Sequence, residues 1–161
     1  MSFPPLTQPR QDDKSARVPH HLETTMRALI IDDDPVSRLF LEELLAPHAD
    51  VTAASSGGQA LELFQAALDA GAPYDFVLSD IMMPDMDGHQ TVERLRGLEQ
   101  RHGLQGDQTV RVIMISALDD AKHVNRAFFQ GHALSYLTKP VSTAALLAEL
   151  RKFELIGEEQ E

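Results

Sequence analysis

The stretch Arg27-Ala28-Leu29-Ile30-Ile31-Asp32-Asp33-Asp34-Pro35 decides how the rest of the chain is read. Arg27–Asp32 has the pattern of a buried strand that ends in acids. Asp34 then caps a helix with Pro35 at its first position, a favoured N-terminal pair because proline lacks the amide hydrogen that would go unused there. Val36, Leu39, Phe40, Leu44 and Leu45 give that helix an apolar face. A strand followed at once by an amphipathic helix is one βα unit.

The same unit recurs outward from this stretch. Val51–Ala54 reads as a short second strand. Ser56 and Gln59 have capping-box spacing and open a helix with Ala60, Leu61, Phe64 and Leu68 inward, stopped by Gly71 and Pro73. Phe76–Ser79 is a third strand running into Asp80, and the loop Ile81–Gly88 leads to a helix carrying Val92, Leu95 and Leu98. After a polar connection (101–108), Val110–Ile115 is the most apolar run and should be a central strand. Asp119 or Asp120 caps a fourth helix with Val124, Ala127 and Phe128 inward, and Gly131 ends it. Leu134–Leu137 is a fifth strand, and Ser142 caps a fifth helix bearing Leu146, Leu147, Leu150 and Phe153. Five such units in about 130 residues argue for an α/β fold, a parallel five-stranded sheet with helices on both faces.

Composition sets the limits. The chain of 161 residues has 43% hydrophobic side chains and no cysteine, which excludes a disulfide framework, thiol catalysis and thiolate metal sites. No apolar run approaches a membrane span and no signal-peptide pattern opens the chain, so a soluble cytoplasmic protein without a membrane partner is expected. Residues 1–25 carry four prolines and balanced charge without apolar period, and read as a disordered extension. The net charge of −11 therefore falls on residues 26–161. So acidic a domain (26–157, followed by an acidic tail, 158–161) is a poor candidate for direct nucleic-acid binding, which needs a basic patch.

In an open parallel sheet the site lies beyond the C-terminal ends of the strands, and that is where the reactive residues fall. Asp32 and Asp33 follow the first strand, Asp80 the third, Ser116 the fourth and Lys139 the fifth. Converging carboxylates repel one another, and a divalent cation relieves the repulsion; an oxygen-only donor set favours Mg²⁺. With a carboxylate nucleophile, a lysine and a hydroxyl beside the cation, the set describes phosphoryl transfer to an aspartate.

Four segments carry a resemblance: Ile30–Pro35, Asp80-Ile81-Met82-Met83-Pro84-Asp85-Met86-Asp87-Gly88, Ser116-Ala117, and Tyr136-Leu137-Thr138-Lys139-Pro140. In order and spacing they resemble the receiver domain of bacterial two-component response regulators, chemotaxis-regulator-like, over roughly 26–156. The resemblance implies a doubly wound, flavodoxin-like (βα)5 sheet of order 2-1-3-4-5. It implies Asp80 as phosphoacceptor, with Mg²⁺ held by Asp33, by Asp32 through water, by Asp80 and by the backbone carbonyl of Met82. Lys139 would pair with the phosphoryl group, before a cis bond to Pro140, and Ser116 and Tyr136 would form the switch. The implied partners are a sensor histidine kinase or histidine phosphotransfer protein and a downstream effector. A homodimer through the face of the fourth helix, fifth strand and fifth helix is left open.

Two departures follow. Met82 and Leu118, two residues past Asp80 and Ser116, are apolar and cannot orient an attacking water, so a long-lived phosphoaspartate is expected. Val141 is smaller than the aromatic residue common at that place, so looser packing beneath the lysine loop is expected.

Plainer readings compete at several positions. Asp34 reads as the helix cap alone. Asp85 and Asp87 have the Asp-x-Asp spacing of haloacid-dehalogenase-type phosphatases, but sit five and more residues past a strand, and read as turn residues with Gly88 easing the start of the helix. The pair His20-His21 and the single His123 read as solvated; of Phe128 and Phe129, one faces the core and the other is a candidate partner contact. The expected function is that of a stand-alone receiver acting by phosphorylation-controlled protein interaction, and not an enzyme beyond autocatalysis of its own phosphorylation and dephosphorylation. The alternatives are a carrier in a multi-step phosphorelay and, ranking lower, a binding module that no longer accepts phosphate; a hydrolase using Asp80 ranks last for want of a substrate cap.

Overall fold

The computed structural model describes residues 25–117 and 133–158. Strands β1 (Met26–Ile31), β2 (Ala49–Ala54), β3 (Phe76–Asp80), β4 (Arg111–Ser116) and β5 (Ser135–Thr138) form one parallel sheet in the order β2-β1-β3-β4-β5. Among the described residues the helices are α1 (Pro35–Leu45), α2 (Gly57–Asp69), α3 (Gly88–Arg101) and α4 (Thr143–Lys152), with a 3-10 turn at Gly106–Gln108. The helix expected after Asp119 or Asp120, with His123, Phe128 and Phe129, lies outside the described residues, as do Leu118 and residues 1–24. The doubly wound α/β class and the strand order expected from the resemblance are those observed.

Side chains alternate across each central strand and so feed two cores. Leu29, Ile31, Val77, Val112 and Met114 pack with Ala60, Phe64 and Ala67 of α2 and with Val92 and Leu95 of α3. Ala28, Ile30, Phe76, Leu78, Ile113 and Ile115 pack with Leu41 and Leu45 of α1 and with Leu146 and Leu150 of α4. Burial on both faces explains why these strands read as continuous apolar runs rather than alternating ones.

The helix starts are set by side-chain caps. Asp34 Oδ1 accepts the Val36 amide at 3.2 Å, Ser56 Oγ the Gln59 amide at 3.1 Å, and Ser142 Oγ the Ala145 amide at 3.0 Å. One cap differs from expectation: Gln59 turns its Oε1 to the amide and hydroxyl of Ser55, not to the cap residue itself. A reciprocal box forms instead at Asp87 and Gln90, where each side chain accepts the other's amide, at 2.8 and 3.0 Å.

The α1 face needs a larger correction. Of the expected face, Leu45 is buried and Leu44 packs partly buried against the core, joined by Leu41, whereas Val36, Leu39 and Phe40 are 74%, 55% and 43% exposed. The helix carries two apolar stripes, and periodicity alone does not say which one meets the sheet. α3 holds a residue the apolar pattern passes over: buried Glu99 takes the amide of Val110 and the guanidinium of Arg96 at 2.7 Å, pinning α3 to the chain just before β4.

Candidate functional site

Register gathers the site. Ile31 stands opposite Ser79, so Asp32 leaves the sheet beside Asp80; Asp80 stands opposite Ile115, and Ser116 opposite Thr138, so Ser116 and Lys139 fall on the same edge. Asp32, Asp33 and Asp80 each offer a carboxylate oxygen within 4.8 Å of the others. Asp32 and Asp80 are buried and Asp33 is exposed. Lys139 Nζ lies 3.2 Å from Asp80 Oδ2 and 3.4 Å from Asp32 Oδ2, bridging the two buried acids. Its backbone amide donates to the Ser116 carbonyl at 2.7 Å, which ties the lysine loop to the end of β4, and the Lys139–Pro140 bond is cis.

Asp80 is placed by backbone as much as by side chain. Ser79 Oγ donates to its carbonyl at 2.9 Å, and the following amide, Ile81, donates to Ile115 at 3.2 Å. Gly88 presses on the same point: a Cβ there would stand 2.2 Å from the Asp80 carbonyl oxygen and 2.9 Å from Ile81 Cα. Only glycine lets α3 begin so close to the acid. Asp85, in the intervening loop, holds φ 68°, a left-handed turn conformation that aspartate tolerates better than most residues.

The electrostatics follow from burial and crowding. Burial pushes the Asp80 carboxyl above the usual carboxylate range; Lys139 pulls against this, while Asp32 and Asp33 reinforce it. Burial alone would lower the Lys139 ammonium, but the attraction of Asp80 and Asp32 outweighs it and raises the group instead. Asp34 is held low by the Ser37 hydroxyl and the Val36 amide, as suits an exposed cap. Burial pushes Tyr136 up to about 12. Its ring is half-buried against the core on the α2 and α3 side.

The family model described as response regulator receiver domain matches residues 28–151. The chain belongs to that family. This receiver is 34% identical to the sensor histidine kinase GacS of Pseudomonas protegens over 79% of the chain, but spans only 13% of that protein's length. It is 32% identical to the two-component response regulator ORR41 of Oryza sativa, covering 81% of this chain and 95% of that one. Among solved structures, a CheY-like response regulator receiver domain protein from Methanospirillum hungatei aligns with a TM-score of 0.61 and 29% identity, over 79% of this chain and 92% of that one. Receivers of this kind are modules of two-component signalling, and the relatives include receivers that form part of histidine kinases.

Around the receiver's acidic edge the structure adds what the sequence pattern did not. The exposed α1 stripe borders a groove of about 590 Å³ lined by Val36, Phe40, Leu41, Ile115, Pro140 and Val141, with Asp32 and Lys139 also on its wall. Val141, flagged for its small size, is part of that lining. The Met82 side chain is 53% exposed, two residues from Asp80. No described helix is long and apolar enough to cross a membrane.

Proposed function

We propose that this receiver accepts a phosphoryl group on Asp80 in a Mg²⁺-dependent reaction, and that the phosphorylated form controls binding to a downstream protein. The observation that carries this reading is the crowding of three carboxylates within 4.8 Å, balanced by one lysine. The donor set fits Mg²⁺: it is all oxygen, and its three carboxylates allow two to ligate directly and the third through one of the several waters such an ion keeps. Asp33 and Asp80 would hold the ion directly and Asp32 through water, with the Met82 carbonyl as a further ligand. When bound, the ion supplies charge neutralisation for the phosphoryl oxygens.

The chain's own residues supply the rest. The Asp80 carboxylate attacks phosphorus; an O–P bond forms as the donor's N–P bond (or the acyl O–P bond of acetyl phosphate) breaks, and the bonding pair leaves with the donor. Lys139, already 3.2 Å from Asp80, would exchange its carboxylate partner for a phosphoryl oxygen. Ser116, tied through its carbonyl to the Lys139 amide, would donate its hydroxyl to another, and Tyr136 would respond as part of the switch.

The exposed stripe Val36, Leu39 and Phe40, rimmed by exposed Asp33, Asp34 and Glu43, suits a basic-edged apolar helix of the donor, a histidine kinase or phosphotransfer protein. Activity as a free-standing receiver draws support from ORR41, a response regulator that the chain covers almost entirely. A relay that passes the group on to a second histidine uses the same edge and is the alternative. Borohydride reduction after acetyl phosphate treatment tests the assignment, because it converts an aspartyl phosphate to homoserine. Peptide mapping should find that conversion at Asp80; conversion elsewhere, or none, would refute it.

A further inference from the structure

Asp32 is the most completely tethered residue of the acidic edge. Its amide donates to Ala54 at 3.1 Å, its Oδ1 accepts the Asp34 amide at 2.9 Å, and its Oδ2 faces Lys139 at 3.4 Å. The remaining acceptor, its backbone carbonyl, receives Nη1 of Arg38 at 2.8 Å from the second turn of α1. Arg38 is half-buried and forms no ion pair with any carboxylate among the described residues, although the chain has 25 acidic side chains. A guanidinium in so acidic a domain is thus committed to a carbonyl. Asp33, by contrast, is exposed, and no hydrogen bond to its side chain is formed among the described residues.

The contact falls on the peptide that joins the two acids. Fixing the Asp32 carbonyl fixes the plane of the Asp32–Asp33 peptide, and with it the direction in which Asp33 leaves the backbone. A charge-assisted bond of this kind is among the stronger ones a carbonyl can accept. We propose that Arg38 is a positioning residue for the divalent-cation site: it preorganises Asp33, which has no tether of its own, so that the ion meets a formed site. This rests on the reading of Asp32, Asp33 and Asp80 as a Mg²⁺ site.

The sign of one measurement separates positioning from simple charge. If Arg38 acted on the cation only through its own positive charge, its removal would tighten Mg²⁺ binding. If it positions the ligands, removal weakens binding, by roughly tenfold as for other groups that orient metal ligands. The experiment is calorimetric titration of the full chain with Mg²⁺ for wild type, Arg38→Ala and Arg38→Lys, with thermal melts to show that all three are folded. Arg38→Ala should bind about tenfold more weakly, and Arg38→Lys, which can still donate to the carbonyl, should recover most of the affinity. Acetyl phosphate labelling of Arg38→Ala should then need more Mg²⁺ yet reach the wild-type rate at saturation. Unchanged or tighter binding by folded Arg38→Ala would overturn the proposal, as would a lysine variant no better than alanine. Failure of the wild type itself to bind Mg²⁺ would instead overturn the reading on which it rests.

Discussion

At the scale of single residues, Asp80 holds a charge where the metal-free fold least accommodates it. Its carboxyl is raised by burial and by two neighbouring acids, so the folded state binds a proton more tightly than the unfolded chain does. A carboxyl shifted in that direction contributes stability below its unfolded value, near 3.8, and loses it as pH rises through the folded value. Asp80→Asn should therefore stabilise the metal-free protein at neutral pH. The advantage should shrink toward zero as melts are taken below pH 4. A variant less stable than wild type at pH 7 would show that the Lys139 pair outweighs the burial. Met82 belongs at this scale too. Its exposed thioether cannot hold an attacking water in place, so phosphorylated Asp80 should persist for minutes rather than seconds in Mg²⁺ buffer, and Met82→Gln should shorten that lifetime several-fold. A wild-type half-life of seconds would remove Met82 from the account.

At the scale of elements, three helices end in the same way and differ in one residue. α2, α3 and α4 each close with a 6→1 and a 5→2 backbone bond around a left-handed residue: Gly71 at φ 69°, Gly103 at 74° and Glu154 at 59°. Glycine adopts that conformation freely and glutamate does not. Glu154→Gly is expected to raise stability by about 1 kcal/mol in urea unfolding, with no effect on phosphorylation. A loss of stability would mean that the Glu154 side chain contributes more than its backbone costs. The element scale is also where sequence reading met its limit. Strands buried on both faces declare themselves as apolar runs, and the cap pairs Asp34-Pro35 and Ser142 are local chemistry, so all of these were legible. Which stripe of α1 faces the sheet was not, because Val36, Leu39 and Phe40 have helical spacing as good as that of Leu41 and Leu45. Glu99 was invisible for the opposite reason: a charge reads as solvated unless its partners, Arg96 and the Val110 amide, are known to come to it. The convergence of Asp32, Asp33 and Asp80 was legible because parallel strands bring their C-terminal ends to one edge. Their tethers, Arg38 among them, depend on a turn geometry that no spacing states.

At the scale of the whole molecule, the acidic edge and the exposed α1 stripe form one continuous surface, with the groove of about 590 Å³ between helix and lysine loop. A small donor such as acetyl phosphate needs only the edge, whereas a protein donor needs the stripe as well. Phe40→Ser should thus slow transfer from a phosphorylated histidine phosphotransfer protein far more than transfer from acetyl phosphate. Equal effects on both would place Phe40 in the site chemistry rather than in docking. With a net charge of −11, docking should also weaken as salt rises, since a basic-edged partner is steered electrostatically. All of this depends on Asp80 taking the phosphoryl group. The most direct test is intact mass after incubation with acetyl phosphate, with and without Mg²⁺, for wild type and Asp80→Asn. The expected result is a gain of ~80 Da, one phosphoryl group, that requires both the ion and Asp80. Wild-type protein that stays unmodified under excess donor and Mg²⁺, or an adduct that survives in Asp80→Asn, would contradict it.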